Sequence, residues 1–169
     1  MNIGEGISGA IFSEDRVYRY ALWRIWDRRL KNLLWVGLNP CWANETRDDA
    51  STSRMAKRAK KLGYGGLCIG NLFAVVAPYP EQLVYGNSAV GKENDRYLAE
   101  LRKFSSLVVV GWGNHGSFTG RDKVVLDILG KPVYCLAVTK LGMPGHPLYL
   151  PWDAELKEYL PMPVYEKVK

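Results

Sequence analysis

The sequence predicts an α/β fold, a three-layer sandwich in which helices cover both faces of a central, mostly parallel sheet. Three observations lead there. From residue 32 onward, short apolar runs alternate with amphipathic stretches. Several of the apolar runs end abruptly at Asn, Gly or Pro. The 169 residues are 47% hydrophobic and 24% charged, as expected of one globular domain. A chain of this length buries roughly 70% of its unfolded surface.

The elements follow in order. The glycine-containing head, 1–13, is expected to be loosely ordered, and 17–26, rich in aromatic and branched residues, reads as a strand. Residues 32–38 (NLLWVGL) form a buried strand stopped at Asn39–Pro40. Residues 52–62 are helical, capped by Ser51 or Thr52 and stopped at Gly63. A second buried strand spans 66–74, a helix 92–104 and the clearest strand 106–112. A helix over 121–129 ends at Gly130–Lys131–Pro132, a strand follows over 132–138, and a short helix over 153–160 closes the chain. Without repeats, low-complexity tracts or linkers, 1–169 reads as one continuous domain.

Composition narrows the function. Cys41, Cys68 and Cys135 stand singly, which argues against a disulfide framework or a thiolate zinc site and fits a reducing cytoplasm. With His115 and His146 the only histidines, a histidine-rich metal site is excluded, and no metal or organic cofactor is expected. No apolar run reaches the roughly 18 residues of a membrane span, and the start Met1–Asn2–Ile3–Gly4 lacks the basic residues of a signal peptide.

The formal charge of +6 and the pI of about 9.2 favour a polyanionic partner, nucleic acid above all. One basic cluster comprises Arg16, Arg19, Arg24, Arg28, Arg29 and Lys31; the other is Arg54, Lys57, Arg58, Lys60 and Lys61. Either alone could be a solvated face. Six Trp and ten Tyr add flat rings suited to base stacking. Nucleic acid is therefore the expected partner class.

In a parallel sheet, ligands bind beyond the carboxyl ends of the strands. Residues 39–42, 71–73, 113–115 and 142–150 should converge there. Two of these segments hold the strongest constellation, G-L-N-P at 37–40 and G-H-P-L-Y-L at 145–150. In these motifs the chain resembles the uracil-DNA glycosylase superfamily over roughly 33–150. It also resembles a bacterial and phage domain family with N-P-x-x-A, N-L-F-A and H-P-L-Y-L signatures. The resemblance implies a glycosylase-like sandwich in which Asn39 orients the attacking water and His146 donates to the departing base. It places Asn71 on the edge of a flipped base, Phe73 more weakly as its stacking ring, and Leu148, Tyr149 and Leu150 as the wedge into DNA.

The residue types suit that chemistry. Cleaving an N-glycosidic bond builds negative charge on the leaving base, which a positioned donor stabilises. An asparagine offers both donor and acceptor to a base edge but is no general base. Blander readings stand beside each. Asn39–Pro40 is also a turn signal, Asn71 a loop-satisfying amide, and His146 a loop anchor. His115 reads as a turn residue rather than a phosphate contact, and Asp48 and Asp49 as charges complementing a helix start rather than a carboxylate near the water. Cys41 lacks the matched histidine-plus-acid motif of a thiol nucleophile.

The expectation is a monofunctional DNA glycosylase that leaves an abasic site, with Lys57, Arg58, Lys60 and Lys61 gripping the backbone. Strictly uracil-specific relatives carry tyrosine where this chain has Cys41, followed by Trp42. The smaller residue leaves room beside carbon five of a pyrimidine. The expected substrate is thus a 5-substituted pyrimidine, such as the hydroxymethylated or glycosylated cytosines of phage DNA, with a role in antiphage defence. Two alternatives are a hydrolase or transferase acting on free nucleosides or nucleotides, and a non-catalytic nucleic-acid-binding module.

Overall fold

A computed structural model describes residues 2–77 and 88–161. It is an α/β structure with seven strands in one sheet, in spatial order β1-β2-β4-β3-β5-β6-β7. The strands are β1 (Ser8–Phe12), β2 (Arg19–Ile25), β3 (Asn32–Gly37), β4 (Gly66–Asn71), β5 (Leu107–Val110), β6 (Tyr134–Cys135) and β7 (Lys157–Glu158). The central four, β4, β3, β5 and β6, are parallel, whereas β1, β2 and β7 are antiparallel to their neighbours. The sheet is therefore mixed, with a parallel centre.

Helix α1 (Ala50–Lys61) lies on one face, and α2 (Asn94–Phe104) and α3 (Arg121–Leu129) on the other. Alternation along the strands explains the two cores. Trp35, Leu33 and Val109 pack with Met55 and Ala59 of α1, while Leu34, Val108 and Val110 meet Leu98, Leu101, Val125 and Leu129 of α2 and α3. Both faces of β3, β4 and β5 are covered, so their sequences read as continuous apolar runs.

Three expectations need correction. The head is not loose from residue 8 onward: Ser8–Phe12 pairs with β2, and Gly9 lies under the Trp23 ring, where a Cβ would come within 2.2 Å of it. Met1 lies outside the described residues. The α1 cap is Asp49, whose carboxylate accepts from the Thr52 N–H at 2.8 Å, rather than Ser51 or Thr52. No helix closes the chain over 153–160; residues 157–158 form β7, and Tyr159 is buried with its hydroxyl donating to the Gly142 carbonyl. Among the described residues, no helix is long and apolar enough to cross a membrane.

Candidate functional site

The loops after β3, β4 and β5 meet the last loop at one edge of the sheet, around a cavity of about 590 Å³. That volume lies in the usual range for small-molecule sites. Asn39 and Cys41 enter from the loop after β3, Asn71 from the end of β4, and 112–115 from the segment after β5. His146 and Leu148–Leu150 close the far side, while Arg19 and Asp49 complete the wall.

Asn39 is half-buried, and its Nδ2 donates to the carbonyls of Pro40, at 3.0 Å, and Ala77. Both amide protons are thereby engaged, so its Oδ1 offers only an acceptor. Asn71 is buried and has the opposite polarity. Its Oδ1 accepts from Arg19 at 3.3 Å, and its Nδ2 lies beside Gly37, where a Cβ would stand only 3.1 Å away. Asn94 supports that position from α2, donating to the carbonyls of Asn71 and Leu72 at 3.0 Å each.

His146 accepts the Leu148 N–H on Nδ1 at 3.3 Å. Burial pushes its pKa below the ordinary 6.5, against the opposing influence of Asp49. The ring is therefore neutral at pH 7 and carries its proton on Nε2, a donor. Pro147 then starts a 3-10 turn over Pro147–Tyr149, which leaves Tyr149 81% exposed beside His146.

The last loop is held by α1. Arg54 donates to the carbonyls of Pro147, at 2.9 Å, and Leu150, at 2.5 Å. Arg58 donates to those of Pro151, Trp152 and Ala154. Asp49, which caps this helix, also accepts from the Ala43 N–H at 3.3 Å, tying the loop after β3 to the helix start.

Residues 19–148 match the family model described as a protein of unknown function, DUF1643. The chain belongs to that family. The matched span contains Arg19, Asn39, Asn71 and His146 of the cavity wall. No curated protein and no solved structure matches the chain.

In this DUF1643 chain the structure brings Asn39, Cys41, Asn71, His146, Leu148 and Tyr149 to one cavity. Phe73 is not among them. It is 1% exposed in the core on the α2 side, and its N–H continues the ladder to the Leu38 carbonyl at 2.9 Å, so it offers no face to a base. Trp42 also stands off the wall and is 69% exposed. Leu150, on the cavity wall, is half-buried against the core on the α1 side and beside Gly145, which sets it back from a wedge.

The basic clusters also need correction. Arg58 is buried and engaged with backbone, so it grips its own chain and not a phosphate. Lys57, Lys60 and Lys61 remain exposed, Lys60 over the Trp26 ring and Lys61 over that of Trp152. In the first cluster, Arg16 pairs with Glu45, Arg24 with Asp48 and Arg29 with Asp27, while Arg28 donates to the carbonyls of Gly4 and Gly6.

His115 lines the wall within the segment expected to converge there, and Asp49 joins it as well as capping α1, whereas Arg19 was expected only as part of a basic cluster. For Arg19 a signal was present, since it interrupts an aromatic and apolar run (YRYALW) that reads as a strand. Burial pushes the Cys41 thiol up, so it is a neutral small side chain at pH 7 and no thiolate nucleophile. Among the described residues, no group of three His, Cys, Asp or Glu is placed to hold a metal ion.

Proposed function

We propose that this chain is a monofunctional DNA glycosylase that hydrolyses the N-glycosidic bond of a 5-substituted pyrimidine, in keeping with its resemblance to the uracil-DNA glycosylase superfamily. One observation carries the reading. An acceptor, Asn39 Oδ1, and two donors, Asn71 Nδ2 and His146 Nε2, line the same cavity, each with its polarity set by a protein contact.

In this scheme Asn39 Oδ1 accepts from a water and aims its oxygen at C1′ of a flipped nucleotide. That oxygen bonds to C1′ as the C1′–N1 bond breaks, and the bond pair leaves with the base. The water's surplus proton passes to solvent and the base takes up a proton, so the net change is the addition of water across the bond. His146 Nε2–H donates to the base oxygen on which charge grows; a preorganised donor of this kind is worth about 3 kcal/mol. Asn71 reads the base edge, and Cys41 leaves room beside carbon five. Tyr149 fills the gap in the stack. The product is an abasic site. Defence against phages that carry such bases follows from that substrate.

The test is to incubate the protein with DNAs of differing base modification, identify released bases by mass and detect abasic sites by alkaline cleavage. A 5-substituted pyrimidine should be released by the unaltered chain, and far more slowly by Asn39→Ala. Release of no base from any of these DNAs would overturn the reading.

The internal engagement of Arg19, Arg24, Arg28, Arg54 and Arg58 favours a second reading, a hydrolase of free nucleosides that needs no DNA grip. Steep weakening of binding with salt marks the DNA enzyme alone.

A further inference from the structure

Arg19 is the unusual group in the cavity wall. It lies on β2, 4% exposed, and among the described residues it makes no ion pair. Its guanidinium donates to the Ala43 carbonyl at 2.8 Å and to Asn71 Oδ1 at 3.3 Å, and its Nε–H has no partner. Burying a cation without a direct ion pair is costly, and here burial drags its pKa down to about 10 against the attraction of Asp49 on the same wall, so it is still charged at pH 7.

We propose that Arg19 is a positioning residue that locks Asn71 with its carbonyl turned away from the ligand, so that the cavity selects a ring edge bearing a carbonyl over one bearing an amino group. The inference rests on reading the cavity as a base pocket. A guanidinium has donors only, so the atom facing it must accept. Flipping the Asn71 amide would set two donors against each other, and Arg19 thus fixes which end points outward. The other end is Nδ2, which lies against Gly37 on the cavity wall, where a Cβ would stand only 3.1 Å away.

A 4-oxo pyrimidine offers O4 to that donor. A cytosine offers an amino group instead, leaving both partners unpaired in a closed site. The narrowing runs against the hydroxymethylated and glycosylated cytosines and toward 5-substituted uracils. A donor at O4 also acts on the leaving group, since a departing 4-oxo base spreads its negative charge over both O2 and O4.

The experiment uses two duplexes that differ only at carbon four of the target, one with 5-hydroxymethyluracil and one with 5-hydroxymethylcytosine. Binding of the two free bases is measured alongside by quenching of tryptophan fluorescence, since Trp112 lines the cavity. The unaltered chain should favour the 4-oxo base at least about a hundredfold in kcat/KM and bind that free base more tightly. Arg19→Met should bring the kcat/KM ratio within about tenfold, chiefly by raising KM for the 4-oxo duplex, and Arg19→Lys should retain part of the preference.

If Arg19→Met does not fold, the unaltered chain and Arg19→Lys decide. Preferential binding of the free 4-oxo base without excision of either supports the inference and overturns the glycosylase reading. Equal excision of the two bases overturns the inference and leaves that reading standing. A folded Arg19→Met with its full preference also overturns it, and neither binding nor excision of either base defeats both.

Discussion

The backbone N–H of Leu148 donates to Nδ1 of His146 at 3.3 Å, and this one bond decides how the imidazole meets the cavity. With Nδ1 occupied as an acceptor, the neutral ring presents Nε2–H. Asn39 is complementary, with both amide protons engaged by carbonyls. Removing either should lower turnover by about a hundredfold or more, the usual scale for a positioned group, with DNA binding mostly retained. Single-turnover rates and gel-shift binding on Asn39→Ala and His146→Ala check this. Full activity in both would remove the proposed mechanism.

The same bond makes acid a stress on the fold. Burial lowers the His146 pKa from 6.5, so the unfolded chain takes up a proton at a higher pH than the folded one. Above about 6.5 neither state is protonated and the contribution is fully present. As pH falls through the window down to the lowered folded value, the unfolded state binds more protons and stability is lost. Protonated Nδ1 would also face the Leu148 N–H, donor against donor. The Tm advantage of the unaltered chain over His146→Gln should therefore shrink between pH 7.5 and pH 5. An advantage that stays constant would show that the imidazole is not held neutral by burial.

Much of the site was legible in the sequence because strand ends can be read from apolar runs and the residues that stop them. Asn39, Asn71 and His146 each sit just past such a run, and parallel pairing of β3 with β4 and β5 forces the first two to one edge. What escaped depends on contacts between distant segments. Residues 153–160 contain good helix formers, yet Tyr134 pairs with Glu158 and Tyr159 is drawn into the core, so pairing overrides propensity. Phe73 looked like an exposed ring because it follows Asn71, but the ladder continues past the strand and turns it inward. The charge of Arg58 said nothing of the three carbonyls that claim it.

Those carbonyls lead to a prediction that separates structural from binding cations on one helix. Arg58→Ala strands them beneath Trp152, and should cost about 2–4 kcal/mol. For a chain of this size that lowers Tm by on the order of 10 °C. The salt slope of DNA binding should not move. Lys57 is exposed at the rim of a shallow depression shared with Arg54, Leu148 and Trp152, and Lys57→Ala should flatten that slope by about 1 with Tm unchanged. Calorimetry and a salt titration read both. A reversed pattern would restore Arg58 as a phosphate contact.

Tyr149 is the outermost large side chain of the last loop, whereas Leu148 is half-buried on the cavity wall. The work of filling the vacated stack therefore falls chiefly to Tyr149. Tyr149→Ala should slow excision from a paired duplex by about tenfold and leave single-stranded or mismatched substrate nearly unaffected, because unstacking there is already partly done. Leu148→Ala should slow all substrates more evenly, since it alters the pocket itself. Equal losses on every substrate for Tyr149→Ala would count against a wedge.

Cys41 supplies the last prediction. It lies on the cavity wall, half-buried, with its thiol held neutral by burial, so its contribution is its small size and not its reactivity. Replacing it by tyrosine would push a ring into the space assigned to the substituent on carbon five. Trp42 cannot take over that task from its exposed place outside the wall. Cys41→Tyr should therefore abolish release of the bulky base, by about a hundredfold or more, while leaving a plain pyrimidine its room. Cys41→Ser, close in volume, should keep activity on the bulky base, which separates loss of space from loss of a thiol. Excision of uracil and of a 5-substituted base would be measured side by side for all three chains. Robust uracil release by the unaltered chain, with the substituted DNA left intact, would defeat the assignment of this space.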